Sequence, residues 1–150
     1  MIKILFVCHG NICRSPMAEF VMKDLVKKRG MEGAFSIASC ATSTEEIGNP
    51  VYPPAQKKLA EHGISSAGKT ARQMTKEDYY EYDYIIAMDR FNLRNMTRFV
   101  GDDPEGKVSL LLDFTNRPGD VADPWYTGDF EVTYRDVLEG CLGFLDEIAK

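Results

Sequence analysis

The chain has 150 residues, 44% hydrophobic and 27% charged, which fits one globular domain able to bury a core without disulfide or metal staples. Its formal net charge of −5 creates a field that repels nucleic acid and anionic membranes, although a local cationic pocket is still allowed. Four cysteines, at positions 8, 13, 40 and 141, are too few and too scattered for a secreted disulfide framework, so a reducing, cytoplasmic setting is expected.

Ile2 to Val7 is a β-rich apolar run, as a strand buried on both faces should be. It is too short for a signal peptide core with a cleavage site, and far too short to span a bilayer. Pro16 suits the first turn of a helix, where its missing N–H has no partner to lose. Met17, Ala18, Val21, Met22, Leu25 and Val26 then recur at helical spacing, and Lys27, Lys28 and Arg29 favour a helix end before Gly30. Phe35 to Ser39 reads as a second strand. Thr42 to Pro54 reads as a loop, followed by a helix to about His62 that Gly63 stops.

Thr75-Lys76-Glu77-Asp78 resembles a capping box and predicts a short helix. Tyr84 to Met88 is a third strand, a helix covers about 89–99, and Val108 to Leu112 is a fourth strand. Asp113 to Gly128 is a long loop. A last helix places Phe130, Tyr134, Val137, Leu138, Cys141, Leu145 and Ile148 on one face. No repeat, low-complexity tract or linker divides residues 1–150, so a single domain is expected. Strands alternate with helices, which argues for an α/β fold with a parallel sheet covered on both sides. Ligands of such sheets bind beyond the carboxyl ends of the strands, where Cys8 falls.

The chemistry concentrates at Cys8-His9-Gly10-Asn11-Ile12-Cys13-Arg14-Ser15-Pro16. A loop running from a strand into a helix N-terminus turns backbone N–H groups inward, and the helix dipole favours anions there. Gly10 is expected to let the backbone turn where a Cβ would obstruct it. Arg14 offers a planar fork matching two phosphate oxygens. The same field favours the thiolate form of a cysteine, which makes Cys8 a candidate for in-line attack on phosphorus. Ser15 is expected to donate to that sulfur while capping the helix, with a plain N-cap as the alternative.

Several segments, in order along nearly the whole chain, resemble the low-molecular-weight protein tyrosine phosphatase family. They are Val7 to Pro16, Ala41-Thr42-Ser43, Glu46 to Pro50, His62-Gly63-Ile64, Ala71-Arg72-Gln73, Met88-Asp89 with Asn92-Leu93-Arg94, and Asp123-Pro124-Trp125-Tyr126. The resemblance implies a three-layer α/β/α fold with a four-stranded parallel sheet of flavodoxin-like or Rossmann-like topology. It also implies a phosphocysteine intermediate, no cofactor and no metal, phosphotyrosine proteins or peptides as substrates, inorganic phosphate as product, and a monomer or weak dimer. By this resemblance Cys8 is the nucleophile, Arg14 the phosphate clamp and Asp123 the general acid and base. His9, Gly10, Asn11, Ile12, Cys13 and Ser15 form the phosphate-binding loop, and Asn11, Ser15, Ser39 and His62 form a network that holds it.

Asp123 also makes sense from its neighbours. Pro124 stiffens the loop, and Trp125 and Tyr126 form an aromatic wall beside a carboxyl that must be partly shielded. Asp113 and Asp120 are rival acids on the same loop, and an Asx-type turn before proline is an alternative use of Asp123. His62 has the alternative of a helix-end histidine satisfied by nearby carbonyls. Cys13 is either a packed thiol or the redox partner of Cys8, forming a reversible disulfide that protects the thiolate.

Two positions depart from the family pattern. Glu45 stands where many members carry an aromatic beside the substrate ring, and His9 replaces a more usual apolar or Thr residue. Glu45 is expected to weaken binding of acidic peptides, with Tyr52 or Trp125 supplying the wall; a solvated loop carboxylate is its plainer reading. Four competing readings stand beside the phosphatase. An arsenate reductase needs relay cysteines that the middle of the chain lacks, and a protein-arginine phosphatase carries Thr where Ile12 sits. A non-catalytic phosphate-binding module has no need of Cys8 and Asp123, and a zinc site on Cys8, Cys13 and a histidine lacks a second ligand pair.

Overall fold

The computed structural model describes residues 1–149. Strands β1 (Ile2–Cys8), β2 (Phe35–Ala41), β3 (Tyr84–Ala87) and β4 (Val108–Leu110) form one parallel sheet in the order β2-β1-β3-β4. Six α-helices connect and flank them among the described residues: α1 (Arg14–Lys28), α2 (Pro53–Glu61), α3 (Lys76–Glu81), α4 (Arg90–Val100), α5 (Pro124–Thr127) and α6 (Phe130–Ile148). The expected four-stranded α/β architecture is present.

The period-2 geometry of β1 divides the core in two. Ile4, Phe6 and Cys8 join a cluster containing Met17, Val21 and Met22 of α1, Ala55 and Leu59 of α2, and Val137, Cys141 and Phe144 of α6. Leu5 and Val7 face the other way, into a cluster with Met74, Tyr79 of α3, and Met96 and Val100 of α4. A strand covered on both faces must be apolar at every position, and residues 4–7 are fully buried. In this strand order the direction of winding reverses between β1 and β3, so a crevice opens beyond their carboxyl ends. Cys8 and the residues just after β3 border it.

Several boundaries differ from the sequence reading, each for a local reason. Helix α1 begins at Arg14, so Pro16 is its third residue, still within the turn whose N–H groups lack helical partners. Gly30 adopts φ +69°, and the amides of Gly30 and Met31 close back on Lys27 and Val26, ending the helix as predicted. Helix α2 starts at Pro53, inside the expected loop. Strand β4 stops at Leu110 because the Asp113 carboxylate accepts the Leu110 amide at 3.1 Å, curling Leu111–Phe114 into a 3-10 turn. Helix α6 lies hard against that turn: a Cβ on Gly143 would stand 2.0 Å from the Phe114 carbonyl oxygen. The loop over 113–128 also contains the short helix α5.

Candidate active site

The loop after β1 is held by its carbonyls. Cys8 and His9 oxygens accept the amides of Thr42 and Ser43, the Ile12 oxygen accepts the Tyr52 amide, and the Cys13 oxygen accepts Met17. With the carbonyls engaged elsewhere, the amides are free to converge. Those of Asn11 and Ser15 point at Cys8 Sγ from 3.3 and 3.4 Å. The amides of Gly10, Ile12 and Cys13 have no acceptor among the described residues. Such a ring of unpaired N–H groups at a helix N-terminus is an anion cradle.

Around the sulfur the donor set is dense. Ser15 Oγ lies 3.0 Å from Cys8 Sγ and in turn accepts Asn11 Nδ2 at 2.8 Å. Asn11 Nδ2 also donates to Ser39 Oγ at 2.9 Å, and Asn11 Oδ1 accepts the Arg72 amide at 3.2 Å. Ser39 Oγ donates to Glu19 Oε1 at 2.6 Å, and Lys69 Nζ donates to the Ser39 carbonyl at 2.8 Å. Every member of this chain is buried or half-buried, so its polar groups are satisfied by one another.

Arg14 is 3% exposed, and both of its terminal nitrogens have partners. Its Nη1 donates to Asp89 Oδ2 at 2.6 Å and to the Val121 carbonyl at 2.9 Å, while Nη2 lies 3.4 Å from Asp123 Oδ2. Burial works against the guanidinium charge, but Cys8, Asp89 and Asp123 outweigh it and hold the pKa above the usual arginine value. Burial, reinforced by neighbouring Cys8, pushes the Cys13 thiol up to about 12. The four cysteines are all free.

These groups line a pocket of about 210 Å³ with Cys8, Cys13, Arg14 and Asp123 in its wall, Trp125 and Tyr126 on one rim, and His9, Glu45 and Glu46 on another. Asp123 Oδ1 also accepts the Trp125 amide at 3.0 Å, capping α5, so both uses foreseen for it coexist. Its rivals are occupied elsewhere: Asp113 closes the turn after β4, and Asp120 takes the Arg90 amide at 3.1 Å.

Comparison with known proteins agrees with this geometry. The family model described as low molecular weight phosphotyrosine protein phosphatase matches residues 3–150. The chain is 41% identical to the low molecular weight protein-tyrosine-phosphatase YfkJ of Bacillus subtilis, covering 100% of this chain and 97% of the relative. The chain belongs to the low molecular weight phosphotyrosine protein phosphatase family. It is also 41% identical to the mouse low molecular weight phosphotyrosine protein phosphatase, over 96% of this chain and 94% of that one. The YfkJ crystal structure superimposes with a TM-score of 0.96 over 99% of this chain and 95% of the other. A Drosophila arginine phosphatase superimposes with a TM-score of 0.89 at 32% identity, over 99% of each chain.

Against the family expectation, His62 lies outside the network. It is exposed at the end of α2, its ring stacked on Tyr134 with centroids 4.0 Å apart. Ser39 is engaged instead by Glu19 and Lys69, which the sequence reading missed. Glu19 had a signal: it is a carboxylate on the apolar face of α1, four residues after Ser15. Asp89 was missed as a site residue too, although it follows β3 at the crevice where ligands of such sheets bind.

Three further expectations need correction. Ser15 is the second residue of α1 and does not cap it; its hydroxyl is on the sulfur network. The left-handed residue in the loop is Asn11, at φ +58°, and not Gly10, where an added Cβ would meet only ordinary contacts at 3.5 Å or more. Tyr52 is absent from the pocket wall and backs Trp125, with ring centroids 5.0 Å apart. The two departures from the family pattern prove to be partners: His9 Nε2 and Glu45 Oε2 are 2.8 Å apart on the exposed rim. With His9 on Glu45 and His62 on Tyr134, no histidine joins the two thiols, so the zinc reading lacks a ligand set. Cys40 and Cys141 are fully buried and line none of this pocket, which removes the relay that an arsenate reductase requires.

Proposed function

We propose that this member of the family hydrolyses phosphotyrosine in proteins or peptides through a phosphocysteine on Cys8. The observation that carries the reading is a sulfur that accepts two backbone amides and contacts the Ser15 hydroxyl, at a pocket that also presents Arg14 and Asp123. Cys8 Sγ attacks phosphorus as the bond to the phenolic oxygen breaks, and Asp123 in its protonated form gives the leaving phenolate its proton. Arg14 and the loop amides hold the equatorial oxygens as charge redistributes. Asp123, now ionised, takes a proton from water as that water attacks the phosphocysteine, releasing inorganic phosphate and the free thiolate. No step calls on a cofactor.

Ile12, Trp125 and Tyr126 favour a flat aromatic ring over a guanidinium in the pocket, which supports phosphotyrosine over phosphoarginine. Glu45 and Glu46 place like charge against acidic side chains that approach from their side of the rim. The free cysteines support a reducing, cytoplasmic setting, and no helix among the described residues is long and apolar enough to cross a membrane.

The test is hydrolysis of a series of aryl phosphates, with phosphoarginine alongside, by wild type, Cys8→Ser and Asp123→Asn. Cys8→Ser should abolish turnover. Asp123→Asn should slow esters of poorly acidic phenols far more than those of acidic ones. Faster cleavage of phosphoarginine than of phosphotyrosine would reassign the substrate, and equal losses across the phenol series would remove Asp123 as the acid.

A further inference from the structure

A second groove, of about 330 Å³, adjoins the catalytic pocket and shares His9 with it as a wall. Its other walls are Thr42 and Ser43, in the segment after β2, and Arg94, Asn95, Thr97 and Arg98 on α4. Two features set it apart from ordinary surface. First, Arg94 and Arg98 are exposed cations one helical turn apart, and among the described residues neither has a carboxylate within ion-pair distance. Like charges four residues apart on a helix oppose one another, and this chain of net charge −5 supplies nothing to offset them there. Second, Thr42 is 1% exposed, and its Oγ1 is the one buried side-chain polar atom without a hydrogen-bond partner among the described residues.

The floor of this groove is tied to the catalytic loop. Ser43 donates through its amide and its hydroxyl to the His9 carbonyl, and Thr42 donates its amide to the Cys8 carbonyl. Arg98 and Gln73 both donate to the Thr42 carbonyl, so Arg98 is pinned at the floor while Arg94 projects with only Phe91 beneath it. A ligand seated here therefore lies against the same loop that carries Cys8.

Building on the phosphotyrosine reading, we propose that this groove is a subsite for an acidic side chain of the substrate peptide, a carboxylate within a few residues of the phosphotyrosine. Charge complementarity selects the occupant: two unopposed guanidinium groups match a carboxylate and not an apolar or basic residue. The His9–Glu45 pair divides the rim, so acidity is disfavoured over Glu45 and favoured on the α4 side. The preference is directional.

Two phosphotyrosine peptides, identical except for Glu or Gln at the flanking positions, and a small aryl phosphate are compared by kcat/KM for wild type, Arg94→Gln and Thr42→Val. Arg94 is the informative choice because, among the described residues, its side chain forms no hydrogen bond or ion pair with the loop that carries Cys8. Wild type should prefer the acidic peptide by roughly fivefold at low salt, the scale of a solvent-exposed ion pair. Arg94→Gln should lose that preference and keep its activity on the aryl phosphate, and 0.5 M salt should mimic it. Thr42→Val should reduce the preference with the fold intact by circular dichroism. Equal rates on the two peptides in wild type, or a preference that survives Arg94→Gln, would overturn the subsite and leave the phosphotyrosine reading standing. If the aryl phosphate is cleaved and neither peptide is, the phosphotyrosine reading itself is lost, and the subsite with it.

Discussion

Asp89 holds Arg14 from below the crevice, with Oδ2 2.6 Å from Nη1, and the same carboxylate caps α4 by accepting the Asn92 amide at Oδ1, 2.8 Å away. One side chain thus fixes the clamp's direction and starts the helix that walls the neighbouring groove. The two duties can be separated. Asp89→Asn keeps a capping oxygen but removes the charge that anchors the guanidinium. A hydrogen bond to a charged group contributes about 1.5–3 kcal/mol, so kcat/KM should fall roughly 10- to 100-fold while thermal stability changes little. Asp89→Ala should lose both. Near wild-type kinetics for Asp89→Asn would show that Val121 and Asp123 orient Arg14 unaided.

Asn11 offers a similar dissection. It is a buried non-glycine residue at φ +58°, and its amide bridges Ser15 and Ser39 while accepting from Arg72. Asn11→Ala loses the bridge and meets the left-handed penalty of roughly 1–2 kcal/mol for a residue with a Cβ. Asn11→Gly loses the bridge alone. Urea titration should therefore find Asn11→Gly the more stable of the two variants by about 1 kcal/mol. Both should lose at least tenfold in kcat, because Ser15 is no longer held toward the sulfur. Equal stability of the two would mean that the loop relaxes out of its left-handed turn.

Period and punctuation made the fold readable. Residues 4–7 could only be a doubly buried strand, and the glycines at 30 and 63 ended α1 and α2 where a left-handed residue was needed. The meeting of Cys8, Arg14 and Asp123 at one pocket was foreseeable because Cys8 and Arg14 share one short loop and Asp123 sits in a distinctive tetrapeptide. What pattern could not supply was three-dimensional pairing. Nothing in the spacing says that Glu19 meets Ser39, that Asp89 meets Arg14, or that His9 and Glu45 share a proton contact across 36 positions of chain. His62 misled for the complementary reason: its residue type and order matched, but stacking on Tyr134 had already claimed its ring. The end of β4 was misplaced because a carboxylate three residues on, Asp113, overrode the propensity of Leu111 and Leu112.

Cys13 shares the pocket wall with Cys8 and stays a protonated thiol, its pKa pushed up to about 12 by burial and by Cys8. Hydrogen peroxide should transfer oxygen to the Cys8 thiolate to give a sulfenic acid, with water as the by-product. Attack by Cys13 sulfur then expels the sulfenic oxygen as a second water and closes a disulfide. The high pKa makes this closure slow near neutrality and faster as pH rises, so a dimedone-trappable sulfenic acid should accumulate first. Peptide mapping should find the 8–13 linkage, and dithiothreitol should restore activity. Cys13→Ser should turn the same exposure into a loss that dithiothreitol cannot reverse. Irreversible inactivation of wild type, with no such linkage, would count against the role of Cys13.

Buried thiols also set the alkaline limit of stability. Burial raises Cys13, Cys40 and Cys141 from an ordinary 9.0, Cys13 to about 12 and the other two further still. Below pH 9 these groups are protonated in both folded and unfolded chains and contribute no pH dependence. Above pH 9 the unfolded chain releases their protons while the folded chain retains them. The unfolded state then binds fewer protons, so stability falls as pH rises from 9 toward 12, by about 1.4 kcal/mol per pH unit for each thiol once its unfolded form is ionised. Urea midpoints measured between pH 7 and 10.5 should be flat and then decline. Cys141→Ala, which leaves a small cavity beside α1, should lower the plateau and yet flatten the decline. A decline just as steep in Cys141→Ala as in wild type would remove Cys141 from the alkaline loss.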